Sequence, residues 1–170
     1  HRLTNRTRLQ VKYAPWAITQ FRTGGLAILP QSCAQTGLLP NRILSLWPYT
    51  DISSPCLDLG NQFILLHANM QTPLKIGFPN PRGWLAYWLD GVLFVKKAAF
   101  EPQGRYPDHG CSSECYCNQS FLELETLAPL VRIEPDTSIT HTETWELHPD
   151  IPLPNDESAI QEILQKIGLE

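Results

Sequence analysis

Apolar and polar positions alternate in short runs along most of the chain, and turn residues cut those runs before they grow long. Period-two alternation places successive side chains on opposite faces of an extended strand, so each run predicts a strand rather than a helix. The expected strands are Arg8 to Phe21, Leu26 to Leu29, Ile43 to Tyr49, Phe63 to His67 and Leu74 to Phe78. They continue with Gly83 to Trp88, Val92 to Lys96, Cys111 to Cys117, Phe121 to Thr126, Leu130 to Ile133 and Ser138 to Leu147. Asp90-Gly91 joins two of them and predicts a two-residue hairpin, whose turn needs positive φ at both central positions. Fifteen prolines and ten glycines leave little room for long helices, and helical periodicity is almost absent before residue 155.

Two stretches depart from the alternation. Gln31 to Arg42 and Thr50 to Gln62 are rich in Ser, Pro, Gly and Asn and read as long surface loops, where a rigid β framework often carries its binding groups. After Pro152 and Pro154 the pattern changes period. Asp156-Glu157-Ser158 offers an N-cap and an acidic first turn, Ile160, Ile163, Leu164 and Ile167 recur at helical spacing, and Gly168 ends the run. The fold class expected is all-β, an antiparallel β-sandwich with one C-terminal helix packed against it, a barrel being the other way to close such strands. Residues 1–150 form the sandwich part and 151–170 the Pro-rich linker and amphipathic helix.

Composition narrows the class. The chain has 170 residues, 42% hydrophobic and 18% charged, a globular balance that excludes a disordered chain. The formal charge is −4 and the basic residues are scattered, which argues against a nucleic-acid partner. No apolar run approaches the roughly 20 residues that span a bilayer, so no membrane partner is expected, and the first sixteen residues lack the apolar core of a signal peptide. The chain begins at His1 and its single methionine is Met70. It therefore reads either as processed or as a piece of something longer. Oligomeric state is not written in these patterns.

Five cysteines are present, three of them clustered as Cys111, Cys115 and Cys117. In a strand these three share a face. His109 and Glu114 lie nearby, but a zinc site needs a second ligand pair and the sequence has none. The expectation is no metal and no cofactor, with the thiols buried as small apolar groups. An odd count without a secretory signal fits a cytoplasmic location.

Phe121 to Leu127 carries the sharpest chemical signal. Leu122, Leu124 and Thr126 point one way, and Phe121, Glu123, Glu125 and Leu127 the other. Two carboxylates on one face raise each other's pKa, one way to prepare a general acid or base, and Phe121 and Leu127 make that face partly apolar.

Glu123-Leu124-Glu125-Thr126-Leu127, followed by Ile133-Glu134-Pro135-Asp136-Thr137-Ser138 and His141 to Leu147, resembles the C-terminal end of galactose-mutarotase-like proteins, the aldose 1-epimerase superfamily. Further signatures follow in the same order as in an uncharacterised bacterial branch of that superfamily: His1 to Asn5, Ala14 to Ala17, Gly24 to Pro30, Leu46 to Asp51, Lys75-Ile76-Gly77 with Gly83-Trp84, Phe94 to Lys96, and Tyr106-Pro107-Asp108. The resemblance covers residues 1 to about 148 and implies that the chain is the C-terminal part of a larger sandwich, incomplete at the N-terminus, with residue 1 inside a strand. It implies a galactose-mutarotase-like supersandwich that holds a small-molecule sugar or sugar phosphate on one sheet face. There a glutamate takes the anomeric proton and a histidine protonates the ring oxygen. By its distance from Pro135, Glu125 matches the glutamate, and Glu114 is the second candidate. Glu123, Trp16, His67 and His141 are the candidate substrate-binding residues. The family's His-x-Tyr-Phe-like run falls near Ala14 to Phe21, where this sequence reads Ala-Pro-Trp-Ala-Ile-Thr-Gln-Phe, so the acid histidine is absent there. Three functions follow: a sugar mutarotase, a catalytically silent sugar-binding or sensing domain, or a structural sandwich with no sugar ligand.

Overall fold

The computed structural model describes residues 1–169. Among them fifteen strands and one helix succeed one another: β1 (Arg2–Thr4), β2 (Val11–Tyr13), β3 (Trp16–Arg22), β4 (Leu26–Pro30), β5 (Ser45–Leu46), β6 (Leu57–Leu59), β7 (Phe63–His67), β8 (Leu74–Phe78), β9 (Trp84–Leu89), β10 (Val92–Ala98), β11 (Ser113–Cys117), β12 (Phe121–Leu127), β13 (Val131–Ile133), β14 (Ser138–Thr140), β15 (Glu143–His148) and α1 (Glu157–Lys166). All strand pairs are antiparallel. A six-stranded sheet runs β15-β10-β9-β4-β7-β6 and a five-stranded sheet runs β3-β12-β11-β8-β5, with β1-β14 and β2-β13 as small ribbons. The chain is thus an all-β sandwich with one helix near its C-terminus.

Alternation decides what each sheet buries. Leu74, Ile76, Phe78, Cys115, Cys117, Leu122 and Leu124 of the five-stranded sheet meet Ala27, Leu29, Ile64, Leu66, Leu85 and Tyr87 of the other in one core. The opposite positions of the six-stranded sheet, including Leu26, Ile28, Phe63, Leu65, Trp84 and Val95, form a second core with Ile160, Ile163 and Leu164 of α1. The helix therefore closes the outer face of one sheet only. Its ends are capped as their residues dictate: Asp156 accepts from the Ala159 N–H, and Gly168, at φ 68°, lets the Leu169 N–H reach the Leu164 carbonyl at 2.9 Å. Among the described residues no helix is long and apolar enough to cross a membrane.

Several boundaries differ from the sequence reading, each for a local reason. Arg8 to Phe21 divides at Ala14-Pro15 into β2 and β3, since Pro15 has no N–H to give a ladder. Ser138 to Leu147 divides around His141 and Thr142, and Ile43 to Tyr49 contracts to β5 before Pro48. Within Thr50 to Gln62, read as loop, Leu57–Leu59 pairs with β7 as an extra edge strand. Asp90 and Gly91 adopt φ 48° and 82° and close the β9–β10 hairpin. The three clustered cysteines do not share a face. Cys115 and Cys117 lie between the sheets, but Cys111 precedes β11, and its Sγ sits 2.7 Å from where a Cβ on Gly77 would project, on the other side. A turn at Asp108-His109-Gly110, all with positive φ, breaks the period that the sequence suggested.

Candidate functional site

The uncovered outer face of the five-stranded sheet gathers polar groups that strand register makes inevitable. Glu114 on β11 stands directly opposite Glu125 on β12, Gly77 on β8 is the next partner of Glu114, and Ile18 on β3 faces Glu125 from the other side. Like charges directly opposed across strands repel, so this pair needs a cation. Lys75, two residues before Gly77 on the same face, supplies it: its Nζ lies 2.7 Å from Glu114 Oε2 and 2.9 Å from Glu125 Oε2. Trp16 Nε1, from the start of β3, donates to the same Glu125 oxygen at 2.7 Å.

Aromatic rings roof the cluster. The Lys75 ammonium lies 5.0 Å from the centroid of Trp16 and 4.8 Å from that of Trp47, within cation–π range of both. Trp47 follows β5 and is kept over the sheet from the far side, where Thr50 Oγ1 bonds both the N–H and the carbonyl of Lys75. Gly77 makes this approach possible, because a Cβ there would meet the Trp47 ring at 3.2 Å and Glu114 Cγ at 3.1 Å. Tyr49 and Tyr116 stack edge to face nearby, 6.4 Å between centroids. Ser45, Leu46, Trp47, Pro48, Asp108 and His109 line an adjoining cavity of about 200 Å³.

Under this roof Glu125 is 0% and Glu114 1% exposed, while Trp16 remains 54% exposed. Burial pushes the Glu114 carboxyl up to about 7 despite the opposing pull of Lys75. Burial works against the charge on Lys75, but its bonds to Glu114 and Glu125 outweigh that and hold its pKa above the ordinary lysine value. Glu114 Oε1 and Glu125 Oε1 are buried with no hydrogen-bond partner among the described residues. Buried acceptors without donors are costly, and in a native site they mark where a donor belongs.

The six residues singled out by sequence divide accordingly. Glu125, Glu114 and Trp16 come together around Lys75. Glu123 shares their face one pair further along, but its partner is Gln20 Nε2 at 2.7 Å, so the close carboxylate pair is Glu114–Glu125 rather than Glu123–Glu125. His67 lies on β7 opposite Leu26, on the helix-facing side of the other sheet. His141 is buried behind β12, with Nε2 2.9 Å from Thr126 Oγ1.

That hydroxyl belongs to a second buried network on the inner side of β12. Lys96, wholly buried, bonds the Ala17 and Leu124 carbonyls and Thr19 Oγ1 at 3.0 Å each and Glu143 Oε1 at 2.8 Å. Burial lowers the pKa of Lys96 against the pull of Glu143, and burial likewise lowers that of His141.

Sequence reasoning missed Lys75, Trp47 and His109 as site residues. The signal for Lys75 was present in Leu74-Lys75-Ile76-Gly77-Phe78, where a lysine sits in the outward phase of an otherwise apolar strand. Among the described residues no group of three or more His, Cys, Asp or Glu is arranged to hold a metal ion. Comparison with protein-family models, with curated proteins and with solved structures finds no match to this chain.

Proposed function

We propose that this chain binds a saccharide on the outer face of its five-stranded sheet, with Glu125 as the group that takes a proton from the anomeric hydroxyl. The observation that carries this reading is the pair of buried carboxylate oxygens without donors, Glu114 Oε1 and Glu125 Oε1, beneath two tryptophans. A sugar ring offers both complements: hydroxyl donors for the oxygens and an apolar face for the indoles. The resemblance of residues 1 to about 148 to galactose-mutarotase-like proteins supports the same ligand class and anomer interconversion as its chemistry. In that reaction Glu125 receives the anomeric O–H proton while a second group protonates the ring oxygen, the ring bond opens, and reclosure on the other face reverses both transfers. His109, beside Trp47 at the adjoining cavity, is a candidate for the second group. The free cysteines, three of them buried, support a reducing, cytoplasmic setting.

A catalytically silent sugar-binding role is the second reading, favoured by a specific observation. Both carboxylates are already tied to Lys75, and His67 and His141 lie off this face. Optical rotation of freshly dissolved α-glucose and α-galactose distinguishes the two. Accelerated decay that falls roughly 100-fold or more in Glu125→Gln is the expected result for catalysis. Saturable binding without acceleration, lost in Glu125→Gln, leaves only the silent reading. Neither binding nor acceleration for any neutral or phosphorylated hexose overturns both.

A further inference from the structure

We infer that the ligand of this face carries an ammonium group, so that the site takes an amino sugar in preference to a neutral or phosphorylated one; this rests on the saccharide-binding reading above. With both carboxyls ionised the buried charges do not balance. Glu114 and Glu125 bring two carboxylates and Lys75 brings one ammonium, already committed to both. The groups around Glu114 do not correct the deficit: Asp108 adds negative charge, the Cys111 thiol is pushed up to about 11 by burial, and the Tyr49 phenol is also raised by burial. Of the other titratable groups on this face, His109 lines the adjoining cavity, Tyr116 packs against Tyr49, Glu123 is engaged with Gln20, and Arg22 at the far end of β3 pairs with Asp90.

The unsatisfied atoms specify the complement. With both carboxyls ionised, Glu114 Oε1 and Glu125 Oε1 are acceptors only. A hydroxyl satisfies one such oxygen and leaves the charge, whereas an ammonium carries three donors and cancels it. A phosphate would add acceptors to acceptors. The surroundings also suit a cation, because Trp16 and Trp47 already present their faces to the ammonium of Lys75 at 5.0 and 4.8 Å. In the free protein a proton on Glu114 fills the missing positive charge, in keeping with a carboxyl that burial has raised, and the ligand ammonium replaces it.

Calorimetric titration of the protein at neutral pH with glucosamine, N-acetylglucosamine, glucose and glucose 6-phosphate tests this. Glucosamine should bind about tenfold more tightly than the other three, the worth of one charge-assisted hydrogen bond. Glu114→Gln keeps the side-chain shape and removes the surplus charge, so it should abolish that preference. Equal or tighter binding of glucose, N-acetylglucosamine or glucose 6-phosphate overturns the ammonium inference and leaves the saccharide reading standing. A glucosamine preference that survives in Glu114→Gln also overturns it, and binding of none of the four overturns both. The comparison among sugars with the unaltered protein is decisive alone, so a variant that fails to fold does not spoil the test.

Discussion

Lys75 Nζ serves carboxylates from two neighbouring strands at once, and replacing it with Met leaves both buried without their cation. Removing one partner of a buried ion pair costs about 3–5 kcal/mol, so Lys75→Met should lower the urea midpoint accordingly. Glu114 adds a pH dependence whose sign follows from its surroundings. Burial raises its carboxyl to about 7 from an ordinary 4.5, so the folded protein holds this proton more tightly than the unfolded chain does. The resulting stability is fully present below the ordinary value and is lost as pH rises through about 7. In Glu114→Gln, which cannot titrate, denaturation midpoints measured across that window should fall less steeply than in the unaltered protein. Gly77 invites a third test at this scale: Gly77→Ala places a methyl between the Trp47 ring and Glu114, and should weaken the saccharide binding proposed for this face even where the fold survives.

Among the elements, α1 shows how local signals suffice when every one agrees. Its N-cap, apolar spacing and terminal Gly168 were all legible, and each does in the structure what its chemistry predicts. Asp156→Ala should cost about 1 kcal/mol through the lost cap, while Leu164→Ala should cost about 2–5 kcal/mol by opening a cavity against the six-stranded sheet. Thermal unfolding of the two variants ranks the contributions. The strands β7 and β8 were legible to the residue, as was the phase of β12 that sends Glu123 and Glu125 outward. Strand β6 was not, because Leu57-Asp58-Leu59 is short and stands among Pro, Ser and Gly; only its pairing with β7 makes it a strand. The opposition of Glu114 to Glu125 was out of reach for a different reason. It depends on how the Asn118–Phe121 turn closes, and a shift of one residue there would set Glu114 against Leu124 or Thr126. The arrival of Lys75 between them depends on the pairing of β8 with β11, across nearly forty residues of chain.

At the scale of the whole molecule the sandwich is covered unequally. One sheet carries α1 on its outer face, and the other leaves its outer face to Trp16, Ile18 and Tyr49. Thiol reactivity should report the same layering. Cys33 is exposed and Cys56 half-buried, whereas Cys111, Cys115 and Cys117 are buried, with burial holding their thiols protonated. A native thiol titration should therefore proceed first at Cys33, then at Cys56, and reach all five only on unfolding. Prompt labelling of Cys115 or Cys117 in the native protein would contradict the packing between the sheets. The two buried lysines have a joint consequence for how the sheets find each other. Glu125 and Thr126 are consecutive, yet one meets Lys75 outside the sheet and the other bonds Glu143, the partner of Lys96, within. A slip of β12 by one residue would drive a carboxylate into the apolar interior and strand both ammonium groups at once. The lysines thus act as two keys cut for opposite sides of the same strand, and only one alignment turns both.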